Sequence, residues 1–181
     1  IKLDEDISNY LPKGFLHNLK YEDPITMLNL MNHTAGFEEW IFDLGYATDD
    51  HMKTLEEGLK KHEPNQIYRP GEVVAYSNYS TSLAAYIVQL ITEQEFSDYV
   101  EEHIFQKLGI SDSTFYLGVK EPLTKAKVNG YELLGKGDFK PSTPYYMSMY
   151  PSGGINGTAQ DLAEFARALM PQVMKSVLFK N

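Results

Sequence analysis

The chain has 181 residues, with 25 Asp and Glu against 16 Lys and Arg and a net charge of −9. That balance repels a phosphate backbone, and no basic patch with interleaved aromatics offsets it, which argues against nucleic acid as a partner. Hydrophobic residues at 43% and charged residues at 23% predict an ordinary packed core, and the lack of cysteine excludes disulfides, thiol nucleophiles and cysteine metal sites. No apolar run approaches the length of a membrane span. The length suits one domain or one large lobe of a bigger one. The chain opens on Ile1-Lys2-Leu3-Asp4 with no signal peptide, so any targeting segment is expected upstream. Short acidic pairs (Glu38-Glu39, Asp49-Asp50, Glu56-Glu57, Glu101-Glu102) read as a solvated surface.

In chain order, the segment to Pro24 is rich in turns. Pro24-Ile25-Thr26-Met27-Leu28 then starts a helix, with Thr26 as N-cap and Ile25 placed to pack on Leu30 as a hydrophobic staple. Leu28, Leu30 and Met31 form its expected buried stripe, and Gly36 is the expected stop. A weakly amphipathic helix is expected from about Thr48 to Lys61. Arg69-Pro70-Gly71 is a turn by composition, and Tyr76-Ser77-Asn78 leads into a strong helix with Leu83, Tyr86, Ile87, Leu90 and Ile91 on one face. Phe96, Val100, Ile104 and Leu108 repeat every four residues in a further helix, which Gly109 should end. Tyr131 to Lys140 reads as a small hairpin around a Gly135-Lys136-Gly137 turn. The loop from Pro141 to Gly154 carries Tyr145, Tyr146 and Tyr150, which either line a cleft or plug a core. A last helix begins at Thr158, with Asp161 in a capping-box relation, and is expected to bury Leu162, Phe165, Ala166 and Leu169 before Pro171 breaks it. The fold expected is mainly α with a small β-hairpin.

Candidate chemistry concentrates at Tyr76-Ser77-Asn78. A phenol, a hydroxyl and an amide at a helix N-terminus could handle a proton and hold a carbonyl group. The alternative is structural: Ser77 or Asn78 caps the helix and Tyr76 packs. The five histidines (His17, His33, His51, His62, His103) show no metal-binding spacing, so neither a metal nor any other cofactor is expected. Gly-x-Ser-x-Gly is absent, which excludes an α/β-hydrolase elbow within this chain.

The surroundings of the tripeptide carry a resemblance. Ile25-Thr26-Met27-Leu28, His33-Thr34-Ala35-Gly36, Arg69-Pro70-Gly71-Glu72, Tyr76-Ser77-Asn78-Tyr79-Ser80, Glu102-His103-Ile104-Phe105, Leu108-Gly109-Ile110 and Ser152-Gly153-Gly154 before Thr158-Ala159-Gln160-Asp161-Leu162 follow one another in this order. Together they resemble the β-lactamase-like serine hydrolases: D-alanyl-D-alanine carboxypeptidases and other penicillin-binding proteins, carboxypeptidase-like β-lactamases and related esterases. The likeness runs from about Ile1 to Leu169. It implies that Tyr76 is a proton-transfer residue, that Asn78 binds the substrate's amide, and that His33 and Gly36 are structural. It implies a D-alanyl peptide, β-lactam or related ester as substrate, and an extracytoplasmic or membrane-anchored parent protein.

Two parts of the family pattern are missing. None of the eleven serines has lysine three positions later, so the Ser-x-x-Lys nucleophile motif is absent, and Lys53-Thr54-Leu55 fails as a Lys-Thr-Gly motif at the glycine. Both motifs lie, in the family, beyond the two ends of this segment. Residues 1–181 are therefore expected to be a single helical lobe of the α+β β-lactamase/transpeptidase-like fold, inactive by itself. The alternative is a non-catalytic binding module that keeps the Tyr76–Asn78 pair.

Overall fold

A computed structural model describes residues 1–39, 41, 44–46, 52–115, 128–142 and 146–170. Helix α1 spans Met27–Met31, β1 Gly45–Tyr46, α2 Leu55–Lys61, α3 Asn78–Thr92 and α4 Phe96–Val100. A π turn over Glu101–Phe105 joins α4 to α5, Gln106–Leu108. Then follow β2 (Tyr131–Gly135), β3 (Asp138–Pro141), β4 (Tyr146–Met147) and α6 (Ala159–Ala168). The architecture is helix-rich. The expected hairpin is β2 with β3, pairing Leu133 with Phe139 across a turn in which Gly135, Lys136 and Gly137 all take positive φ. A second antiparallel pair, β1 with β4, joins segments far apart in sequence and went unforeseen, because two residues are too few for alternation to show.

The main core gathers Ile7, Phe15, Ile25, Met27, Leu30, Phe37, Leu55, Leu59 and the inner face of α3. Leu83, Tyr86 and Ile87 on α3 are buried as the spacing predicts, but Ile91, in the last turn, is exposed. Helix α1 is correct in its start and wrong in its stripe. Thr26 caps the Asn29 N–H at 3.2 Å and the Asn29 side chain returns to the Thr26 N–H, while Met27 and Leu30 are buried and Leu28 and Met31 are exposed. Five residues make little more than one turn, so a few degrees of rotation decide which pair faces inward.

The stop is also not Gly36. His33 takes the left-handed slot (φ 55), its N–H reaching Leu30 O at 3.3 Å and the Thr34 N–H reaching Asn29 O at 2.8 Å, the two bonds of a Schellman ending. Helix α2 starts at Leu55 on a Thr54–Glu57 capping box, seven residues later than expected; residues 48–51 lie outside the described set. The Thr54 N–H and hydroxyl hold the Glu57 carboxyl below its ordinary value.

A second, smaller cluster of Val100, Phe105 and Ile110 packs Phe165 of α6. Gly109 ends α5 at φ 70, as expected. Helix α6 departs from expectation: it buries Asp161 and Ala168 and half-buries Phe165, while Leu162, Ala166 and Leu169 are exposed. Its periodicity marks an apolar face, but the described chain covers only part of that face. The Thr158 hydroxyl accepts the Asp161 N–H at 3.1 Å, yet the box is not reciprocal, because the Asp161 carboxylate accepts the Ser113 hydroxyl at 2.8 Å instead. The aromatic segment before α6 resolves in favour of core: Met147, Ser148 and Met149 are buried and Tyr150 packs on the main cluster, while Tyr145 and Pro171 lie outside the described residues.

Candidate active site

The start of α3 is registered by a lacing of backbone bonds between two segments. The Ala75 N–H reaches His33 O at 2.8 Å, Gly71 reaches Thr34 O at 2.7 Å, Ile67 reaches Gly36 O at 2.7 Å, and Glu38 reaches Asn65 O at 3.0 Å. Arg69-Pro70-Gly71-Glu72 closes on itself through the Glu72 N–H to Arg69 O (3.1 Å), with Gly71 at φ 83. That is a type II turn, in which proline presets one corner and glycine supplies the positive φ of the next. Gly36 permits the close crossing. Its φ is 85, and a Cβ there would collide with the Tyr68 carbonyl oxygen. Buried Gln66 ties the crossing to the body, donating to Ala35 O and accepting the Lys20 and Tyr21 N–H groups, each at 3.1 Å.

This lacing delivers two side chains to the first turn of α3. His33 lies against Tyr76 with ring centroids 4.6 Å apart, and its Nδ1 accepts the Ser77 N–H at 3.3 Å. An accepting Nδ1 places the ring proton on Nε2 in the neutral imidazole. Glu39 reaches the helix start from the other side. One carboxylate oxygen accepts the Asn78 backbone N–H at 2.8 Å and the other accepts Asn78 Nδ2 at 2.7 Å. The anion therefore sits at the positive end of a 15-residue helix, where the peptide dipoles favour it.

Within the tripeptide the roles divide cleanly. Ser77 is buried and caps α3, its Oγ accepting the Ser80 N–H at 3.1 Å. Tyr76 is 60% exposed, and its hydroxyl donates to Asn78 Oδ1 at 3.1 Å. Ser77 thus caps the helix as the structural alternative has it, while Tyr76 lies against His33 with its phenol outward beside a carboxamide. Below them, the Tyr79 hydroxyl and Ser80 Oγ are buried without a hydrogen-bond partner among the described residues, and burial pushes the Tyr79 phenol up. Among the described residues no group of three or more His, Asp or Glu is placed to hold a metal ion, and no helix is long and apolar enough to cross a membrane.

A family model described as Beta-lactamase matches residues 1–178. The chain belongs to the β-lactamase family. It is 30% identical over 173 residues to a Bacillus subtilis relative named as a penicillin-binding protein, PbpX, covering 94% of this chain and 40% of that protein. Among solved structures, FmtA from Staphylococcus aureus superposes with a TM-score of 0.76 at 19% identity, over 99% of this chain and 47% of its own. The D-amino acid amidase from Ochrobactrum anthropi superposes with a TM-score of 0.73 at 24% identity, over 96% of this chain and 49% of its own. The fold is accordingly that of the β-lactamase/transpeptidase-like proteins, and the chain spans less than half the length of these relatives.

In this β-lactamase-family chain Tyr76 and Asn78 are neighbours at the start of α3. The two side chains do stand together, but neither lines any of three cavities described elsewhere: about 410 Å³ between Asp6 and Ile25, about 500 Å³ between α4 and α6, and about 330 Å³ around Asn18 and Glu63. Sequence reading missed Glu39, while His33, expected to be structural, accepts the Ser77 N–H and lies against Tyr76. The acidic pair lies at the surface, as expected, and both members also hold asparagines: Glu38 Oε1 accepts the Asn65 N–H at 3.2 Å and Asn65 Nδ2 at 2.6 Å. No local spacing links Glu39 to Asn78, 39 residues away, so only the crossing at Gly36 reveals the pair.

Proposed function

We propose that this chain is the helical lobe of a serine hydrolase acting on D-alanyl peptides, β-lactams or related esters, with the nucleophilic serine in sequence outside residues 1–181. The single observation that carries the reading is the exposed Tyr76 hydroxyl, bonded to Asn78 Oδ1 at 3.1 Å at the mouth of α3. A serine attacking a carbonyl must lose its proton and the leaving group must gain one, and a phenol held outward at a helix start is placed for that traffic. Asn78 offers a carboxamide N–H to a substrate carbonyl beside the same phenol. Acylation of the serine followed by hydrolysis completes the cycle. The lobe carries the proton-transfer and amide-holding groups but no Ser-x-x-Lys, so it does not form an acyl bond alone.

Intact-mass measurement after incubation with labelled penicillin tests this. The 181-residue chain is expected to stay unmodified. A longer protein carrying Ser-x-x-Lys ahead of Ile1 is expected to acquire one adduct, with Tyr76→Phe slowing its formation about 10²-fold or more. A stoichiometric adduct on Ser77, Ser80 or Ser152 in the short chain overturns the placement of the nucleophile. Flanking sequence without a Ser-x-x-Lys supports the other reading, a non-catalytic binding module of the same fold.

A further inference from the structure

We propose that Glu39 is a positioning residue that fixes which way the Asn78 carboxamide faces, and so which hydrogen bond the site offers a substrate. The inference deepens the proposed function and rests on it for the substrate-binding role of Asn78. Its geometric part stands on the bonds at the start of α3.

A carboxamide has an accepting edge and a donating edge of nearly the same shape, so by itself it rotates between two orientations. A carboxylate can only accept. Glu39 meets Asn78 at 2.8 Å on the backbone N–H and at 2.7 Å on Nδ2, so the donating edge must turn toward Glu39 and Oδ1 must turn away. That leaves Oδ1 to take the Tyr76 hydroxyl at 3.1 Å. Of the four hydrogen-bonding positions on the carboxamide, one N–H is held by Glu39 and one lone pair by Tyr76. Among the described residues, the second Nδ2 hydrogen is the donor left over for a carbonyl acceptor. Without Glu39 the amide could present an oxygen there, and a carbonyl substrate would meet a second acceptor instead of a donor.

Glu39 is itself placed by the fold. Phe37, 1% exposed, pairs with Gln66, and Glu38 is pinned to Asn65, so the backbone on its N-terminal side is fixed on both faces. The adjacent acid thus holds a structural asparagine in the same two-bond manner, and Glu39 turns that manner onto the asparagine that faces outward. Charge-assisted bonds of this kind are about twice as strong as neutral ones and hold an orientation correspondingly better.

The test has two arms. In the 181-residue chain, uniform ¹⁵N labelling reads the Asn78 side-chain amide, with the Ser80 backbone N–H as a control that the Ser77 cap is intact. Glu39→Gln and Glu39→Ala are expected to move one of the two Asn78 side-chain proton signals upfield while the Ser80 signal stays in place. In the longer protein with its nucleophile, Glu39→Gln is expected to raise KM for a carbonyl substrate about 10-fold, with kcat changed about threefold or less. Glu39→Gln combined with Asn78→Ala is expected to be no worse than Asn78→Ala alone.

Unmoved Asn78 signals in both Glu39 variants overturn the proposal, and so do additive effects in the double variant or a KM untouched by Glu39→Gln. If Asn78→Ala itself leaves KM unchanged, the substrate-binding assignment of Asn78 fails and the inference fails with it, whatever the amide signals do.

Discussion

Helix α3 begins with Ser77 accepting the Ser80 N–H, and α6 begins with Thr158 accepting the Asp161 N–H, each at 3.1 Å. Each first turn also meets a carboxylate. At α6 it is local: Asp161 is the third residue of the helix, is buried, and takes the Ser113 hydroxyl at 2.8 Å. At α3 it arrives from Glu39 and takes two donors of Asn78. The same capping chemistry therefore gives a closed end in one place and an open one in the other. Where the acid belongs to the helix, the polar groups consume one another inside the protein. Where a distant segment supplies it, the second amide N–H has no partner among the described residues, and the phenol, bonded to Asn78 Oδ1, stays exposed.

The largest expected effect separates the two glycines that let these partners approach. Gly36→Ala forces a positive φ on a residue with a Cβ and drives that Cβ into the Tyr68 backbone. A loss of about 3 kcal/mol or more is expected by chemical denaturation, together with faster exchange of the Asn78 N–H as Glu39 is displaced. At α6 the counterpart is Gly157, where a Cβ meets the Ser113 Oγ, which rotates away once it gives up Asp161, and the Ser113 Cβ at 3.0 Å, which yields by a slight backbone shift. Gly157→Ala is expected to cost about 1–2 kcal/mol, near the worth of that bond. Equal losses at the two sites would remove the distinction between tertiary and local supply of the acid.

Next come the faces the helices bury. Leu83 on α3 is 0% exposed and Leu162 on α6 is 68% exposed. Leu83→Ala is expected to cost about 2–5 kcal/mol and Leu162→Ala about 0.5 kcal/mol or less in the 181-residue chain, both by thermal or urea unfolding. A large loss at Leu162 would mean that α6 buries more than the described contacts show. Caps differ less. Ser77 is buried and Thr158 exposed, so Ser77→Ala is expected to cost about 1–2 kcal/mol and Thr158→Ala about 0.5–1 kcal/mol.

The same contrast explains what the sequence made legible. Helix existence, the Thr26, Ser77 and Thr158 starts, the Gly109 stop and the glycine-turn hairpin each depend on neighbours within a few residues, so they could be read directly. The nomination of Tyr76 and Asn78 came from the ordered motifs and the family they resemble. What escaped was everything settled across the chain: the left-handed slot falling on His33 rather than Gly36, the β1–β4 pairing, and the reach of Glu39 to Asn78. Apolar periodicity predicted burial correctly for Leu83 and Tyr86, because α3 is packed on several sides. It failed for Leu162 and Leu169, because period reports the face that is apolar and not whether the chain supplies a neighbour to cover it.

A change of opposite sign, a gain rather than a loss, concerns the stability cost of the open helix start. Beneath the outward pair, the Tyr79 hydroxyl is buried and unpartnered among the described residues, whereas the buried polar groups at the start of α6 are paired. A desolvated hydroxyl with nothing to bond gains nothing from folding and loses its water. Tyr79→Phe keeps the ring that meets Phe37 edge-on at 5.2 Å and removes only that group, so a gain of about 1 kcal/mol is expected near neutral pH. The pH dependence sharpens the test. Burial, and secondarily the Glu63 carboxylate, push the Tyr79 phenol above its ordinary value of 10.0. The folded protein therefore keeps this proton after the unfolded chain has released it. The linked stability is complete below pH 10 and drains away as the pH climbs toward the folded value. Phenylalanine has no such proton to lose. The advantage of the variant should thus be flat from neutral pH to about 10 and widen above it, which matched denaturation curves at several pH values would resolve. A variant less stable than the parent at neutral pH would show that the hydroxyl has a bonding partner, and that the start of α3 is as fully satisfied as that of α6.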